Sequence, residues 1–157
     1  MISFKEGNEK FNFRVGGILL SPDQKKILIH RKSDFDFYLL PGGRVEMLED
    51  TKNAIVRELK EELDIDVEVD RLLYILENFF ELNGTIYHEI SFNYLLKTTN
   101  EDIFKETEEF SGVEGEEYKF KWVNRNDLDS YNFKPEFVID LLKDLPKETV
   151  HIIKDER

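Results

Sequence analysis

Glu58, Glu61 and Glu62 stand within five residues of one another in the segment RELKEEL, Arg57 to Leu63. Side chains three and four apart on a helix are neighbours, and like charges there repel by roughly 0.2–0.5 kcal/mol per pair. At about 100° per residue, Ile55, Val56, Leu59 and Leu63 form one arc and the three glutamates form a second that adjoins it. The carboxylates therefore sit at the margin of the core-facing stripe, not opposite it. Convergent carboxylates beside a partly dry wall suit a hard divalent cation, Mg²⁺ or Mn²⁺, which prefers oxygen ligands. Such an ion would relieve the repulsion and grip phosphate oxygens. Just upstream, Gly42 and Gly43 form a turn that lets backbone approach a metal or phosphate closely and can offer a carbonyl. Taken alone, each feature also has a plain reading. Glutamates solvate helices, Arg57 and Lys60 balance part of the charge, and a double glycine makes an ordinary turn.

Other elements must hold this helix in place. Asp50 is suited to cap a helix over Thr51–Leu63. Strands are expected over Phe11–Leu20 and Lys26–His30, separated by a Ser-Pro-Asp-Gln turn, with a short one over Phe35–Leu40 ending at Pro41-Gly42-Gly43. Asn83-Gly84 is a strong hairpin signal between two β-rich arms, Val67–Leu82 and Thr85–Thr98. Residues 101–117 carry eight acidic residues against one lysine. That pattern reads as a solvated loop or short helix. Tyr118–Val123 alternates as a half-buried strand, and Pro135–Lys143 has helical spacing with proline in its first turn. The sum is a mixed α/β domain.

The chain has 157 residues, enough for one self-sufficient core, and carries a net charge of −12. That charge opposes tracking of a nucleic-acid polymer, which calls for a basic stripe. A small phosphorylated substrate stays compatible if a metal supplies positive charge. The absence of cysteine excludes disulfides and thiolate metal sites. MISFKEGNEKFNF is too polar for a signal peptide and no apolar run reaches membrane length, so no membrane partner and a cytoplasmic location are expected.

The residues gain meaning from their spacing. Gly43 is followed after five residues by Glu49, then after seven more by Arg57-Glu58-Leu59, Lys60 and Glu61-Glu62. Leu63 and Asp64-Ile65 complete the stretch. This resembles the signature of the Nudix (MutT-type) hydrolases: glycine, five residues, Glu, seven residues, Arg-Glu-aliphatic, one residue, Glu-Glu, one residue, Gly-aliphatic. With about one chance in fifteen per fixed residue, six matches at a given start arise on the order of once in ten million. Asp64 departs from the family's glycine, where a left-handed residue closes the helix; Asp is among the few side chains that tolerate it. Leu48 also stands where relatives commonly have glycine.

The resemblance implies an α/β/α sandwich with a mixed β-sheet, one domain over residues 1–157. It also implies hydrolysis of a phosphoanhydride in a nucleoside diphosphate derivative with Mg²⁺ or Mn²⁺. By position, Glu58, Glu61 and Glu62 would be metal ligands, one of them also a general base, with the Gly42 carbonyl as a further ligand. Arg57 and Glu49 would form an ion pair orienting the helix. Family members often add an acid from a later loop. Glu108, Glu109, Glu114, Glu116 and Glu117 compete for that place, and Glu117 is preferred, then Glu116, for lying where loop meets strand. The substrate is left open between nucleoside triphosphates and ADP-ribose or nucleotide-sugar compounds, and a homodimer is left open. The alternative is a nucleotide-sensing module without turnover, but such relatives generally lose box carboxylates and none is lost here.

Arg14 and Arg31 could hold phosphate bidentately, or serve structure. Tyr38 and Phe37 beside the glycine turn could stack a base, or pack the core; Gly43 would let substrate approach. His88 lacks the second histidine of an H-E-x-x-H motif and reads as a sheet residue.

Overall fold

The computed structural model describes residues 1–157. Nine strands form two sheets. The larger contains β1 (Ser3–Glu6), β2 (Glu9–Leu19), β4 (Gly42–Arg44), β5 (Val67–Leu82), β6 (Thr85–Thr98) and β9 (Val150–Asp155). Its order is β1-β2-β6-β5-β9, with β4 also on β2. The β2–β6 and β5–β9 pairs are parallel and the others antiparallel, so the sheet is mixed as expected. The smaller sheet is β3 (Lys26–Lys32), β8 (Gly115–Asn124) and β7 (Phe110–Gly112), all antiparallel. No helix is long and apolar enough to cross a membrane.

Helix α1 (Thr51–Leu63) matches its expected bounds. Asp50 caps it, accepting the Asn53 N–H at 2.8 Å. The helix buries Ala54, Ile55, Leu59 and Leu63 against the large sheet, and Leu28, Phe120 and Trp122 of the small sheet join the same core. Fully burying Ile55 and Leu59 contributes roughly 1.5–3 kcal/mol each. At its C-terminus Asp64 adopts φ 53°, ψ 39° and donates its N–H to the Lys60 carbonyl at 3.0 Å. Asp64 thus takes the left-handed turn that a glycine would.

Three expectations need correction. Phe35–Leu40 is not a strand: it meets the edge of β3 at the single bridge Leu39–His30 and Phe133 at Tyr38, and pairs no further. Residues 101–117 begin with one of the two expected forms, a short 3₁₀ helix over Glu101–Lys105, and the rest is anchored and not a free loop. Ile103 is buried and its carbonyl accepts the Trp122 indole N–H at 2.8 Å, and β7 follows. Ile103 anchors the segment, and most of its acids, Glu109 excepted, face water. Pro135–Lys143 is helical as expected but divided, a 3₁₀ turn over Glu136–Val138 and then a short helix α2 (Ile139–Lys143), consistent with the high cost of nucleating so brief a helix.

Leu48 has φ 65° and a fully exposed side chain. Left-handed backbone costs an L-residue roughly 1–2 kcal/mol, and here no contact offsets it. Leu48→Gly should raise folding stability by about 1 kcal/mol, read from the urea midpoint. Asp64→Gly should gain less, because Asp tolerates the conformation and its exposed bridge to Lys60 at 3.1 Å is lost.

Candidate active site

Arg57 organises the glutamates. Its Nε and Nη2 donate to the two carboxylate oxygens of Glu49 at 2.7 and 2.8 Å, tying the preceding loop to α1. Its Nη1 reaches Glu58 at 3.1 Å and Glu61 at 3.2 Å, and Nη2 also donates to the Arg44 carbonyl at 3.2 Å. Glu49 in turn accepts the Glu46 N–H at 3.0 Å. Hydrogen bonding to Arg57 holds the Glu49 carboxyl below the usual range and raises the guanidinium further above its own.

The glutamates differ in depth. Glu61 is half exposed, Glu58 is largely covered, and Glu62 is only 6% exposed. Burial raises the Glu58 carboxyl, against the pull of Arg57. Burial raises Glu62 well above its ordinary value, and the Glu58 and Glu114 charges add to the rise, while Arg14 and a backbone hydrogen bond from Gly42 oppose it. Glu62 Oε2 has no hydrogen-bond partner. A buried carboxylate oxygen left without a donor costs stability unless a proton or cation joins it.

Gly43 lies directly against Glu58. A Cβ there would come within 2.4 Å of the carboxylate. Gly42 has φ 152°, and a Cβ on it would meet the Val15 carbonyl at 2.1 Å. The double glycine is therefore a sterically required floor beneath the carboxylates. As the side chains lie, no three acidic groups close around one point, since Arg57 spans Glu58 and Glu61. The orphaned Glu62 oxygen, the adjacent Glu58 and the absence of side chains at Gly42 and Gly43 fit a hard cation.

The family model for the NUDIX domain matches residues 10–141. The chain belongs to that family. An RNA pyrophosphohydrolase of Campylobacter jejuni is 46% identical over 65 residues, covering 38% of this chain and 41% of that protein. The chain therefore matches less than half the length of such relatives. Among solved structures, a MutT protein from Bacillus halodurans superposes with TM-score 0.61 at 14% identity, over 92% of this chain and 91% of that one. A NUDIX hydrolase from Nitrosomonas europaea gives 0.59 at 16% identity, over 91% and 79%. At these identities the likeness concerns the fold.

On the sheet face away from the NUDIX helix lies a cleft of about 560 Å³. Asn12, Arg14 and Gly16 of β2, Leu76, Asn78 and Phe80 of β5, and Tyr87, Glu89, Ser91 and Asn93 of β6 form its floor. Phe35, Phe37 and Lys134 belong to its walls. Arg14 pairs in register with Arg44, which also lines the cleft. Like charges facing each other across strands are unfavourable without an anion to bridge them. The sequence reading found Arg14 but missed Arg44, because only the β2–β4 pairing makes them neighbours.

The remaining candidates fall elsewhere. Arg31 forms a bidentate pair with Glu109, at 3.0 and 2.8 Å, and the Tyr38 hydroxyl donates to the same carboxylate at 2.6 Å. Burial raises the Tyr38 phenol, while Arg31 lowers the Glu109 carboxyl. These three side chains clamp the Phe35–Leu40 segment to the small sheet, so Arg31 and Tyr38 are committed to one another's support. Glu116 and Glu117 are exposed on β8, and the Glu117 backbone carbonyl accepts the Ser33 N–H. Glu114 is the downstream acid brought toward Glu62: the adjacent Val113 N–H donates to the Glu62 carbonyl at 2.9 Å. Glu108 is exposed. His88 stacks on Phe79 at 4.4 Å, as a sheet residue.

Gly43→Ala should fold, because the clash falls on the end of a flexible side chain, but Glu58 must move. Mn²⁺ affinity, measured by calorimetry, should fall about tenfold or more. Gly42→Ala meets backbone instead and should lower the melting temperature sharply.

Proposed function

We propose that this chain is a metal-dependent pyrophosphohydrolase acting on a small nucleotide, a nucleoside triphosphate or an ADP-ribose or nucleotide-sugar compound. The observation that carries this reading is the buried, unpartnered Glu62 oxygen beside Glu58, with Arg14 set opposite Arg44 across the β2–β4 pair. Glu58, Glu61, Glu62 and the Gly42 carbonyl would hold Mg²⁺ or Mn²⁺, with Glu114 in place of the Glu117 expected from sequence. A divalent cation bound there supplies positive charge to phosphate oxygens and acidifies water.

The chain's own groups do the rest. Arg57 and Glu49 fix the helix against the glycine loop, so that only the glutamate side chains need turn to meet a cation. Arg14 and Arg44 draw the phosphate chain to the mouth of the cleft and neutralise its charge. One helix glutamate takes a proton from water as the water oxygen bonds to phosphorus, and the bridging anhydride oxygen leaves on the other phosphate. An RNA-directed reading is favoured by the name of the Campylobacter relative, and the net charge of −12 weighs against it. That charge balance supports a small-molecule substrate.

A panel of nucleoside triphosphates, ADP-ribose, a nucleotide sugar and triphosphorylated RNA, with Mg²⁺, decides the matter. Glu62→Gln should reduce turnover at least about a hundredfold. The same change removes a buried charge whose folded pKa lies above its unfolded value, a penalty present at neutral pH. Its urea midpoint in EDTA should therefore rise. Full turnover in a folded Glu62→Gln protein would overturn the metal site. Tight nucleotide binding by the wild type with no hydrolysis would make the chain a sensor.

A further inference from the structure

Two hydrogen-bond acceptors face the cleft from neighbouring strands. Asn78 on β5 is only 7% exposed and its Oδ1 has no partner. Glu89 on β6 pairs with it in register, and both line the cleft. Glu89 is held from behind: Ser3 Oγ donates to Asn12 Oδ1 at 2.7 Å, and Asn12 Nδ2 donates to Glu89 Oε2 at 2.8 Å. That chain fixes the carboxylate and leaves its other oxygen without a protein donor. A buried acceptor without a donor is costly, as Asn78 Oδ1 is; Glu89, partly exposed beside it, lines the same cleft.

Beside the pair, Phe80 and Tyr87 stack at 5.0 Å and 6° between planes, and Phe35 and Phe37 on the wall stack at 5.1 Å and 10°. Such surfaces accept the face of a flat heterocycle. Arg14 lies one position along the same face from Asn12, two residues on in β2, so a phosphate chain and a ring would occupy adjacent parts of one cleft.

We propose that Glu89 and Asn78 select a guanine base, Glu89 and Asn78 each accepting one of the adjacent donors N1–H and the N2 amino group. Inosine keeps N1–H but lacks the amino group. Adenine places an acceptor beside its single amino group, and uracil flanks one N–H with carbonyls, so each leaves an acceptor of the protein unpaired or opposed. The assignment rests on the nucleotide-hydrolase reading and names the base that reading leaves open. Both residues act on substrate binding, not on the bond that breaks.

The test compares kcat/KM for GTP, ITP and ATP with Mg²⁺, and calorimetric binding of GMP, IMP and AMP in EDTA. Wild type should favour GTP over ITP and ATP by about tenfold or more, the scale set by one unpaired buried acceptor. Asn78→Ala and Glu89→Gln should bring the GTP/ITP ratio near one, chiefly through KM. Should Asn78→Ala fold poorly, the near-isosteric Glu89→Gln decides alone. Equal handling of GTP, ITP and ATP by wild type, or an unchanged ratio in the variants, overturns the base assignment and leaves the hydrolase reading standing. Should no nucleotide be hydrolysed, that reading fails, and the base assignment is then decided by binding: GMP held tighter than IMP and AMP supports it, equal affinities overturn it.

Discussion

The Arg57 guanidinium is the interaction on which the site depends. Its five donors leave in a fixed plane, so one side can close on both oxygens of Glu49 while the other spans Glu58 and Glu61. The bidentate side joins the loop after β4 to α1. The second side keeps the largely covered Glu58 and the half-exposed Glu61 from driving one another apart. A lysine would supply the charge but not the plane, and the loop carrying Gly42 and Gly43 would lose its fixed relation to the helix. Glu62, deepest of the set, receives nothing from Arg57. That division leaves the most desolvated carboxylate as the one still short of a positive partner.

A protein with net charge −12 nevertheless sets two arginines opposite one another at a sheet edge. Each half of the site is electrostatically unfavourable when empty: crowded carboxylates on one side of β4, facing guanidiniums on the other. The proposed ligand, a cation with a phosphate chain, would resolve both at once. The mutual cost is modest at each point, a few tenths of a kcal/mol to about 1 kcal/mol per like-charged neighbour. Persisting in a marginally stable fold, it is better explained by a ligand than by packing.

How much of this was legible beforehand follows from the range of each interaction. The α1 bounds, the Asp50 cap and the left-handed Asp64 depend on residues within one turn, and a linear pattern records them. The Asn83-Gly84 hairpin is equally local, joining β5 to β6 as read. The Phe35–Leu40 segment alternates like a strand, yet whether it becomes one depends on a partner edge that the sequence does not reveal. Glu109 shows why composition misled. Among eight acids it looks like any other, and only the fold sets it against Arg31, 78 positions away. Arg44 was hidden in the same way, and Glu114, named among five competing acids, stood out from them only through Glu62, distant in sequence.

The pleat of β2 explains how chemistry and recognition can share one strand without interfering. Phe13 and Val15 point toward α1 and belong to the core beneath it, whereas Asn12, Arg14 and Gly16 line the opposite cleft. Changing a cleft residue therefore alters what the floor presents without disturbing the packing that holds the glutamates. The two faces remain coupled at one place. At Gly16, β2 pairs with Gly42, so the strand that floors the cleft also sets the height of the glycine turn under Glu58.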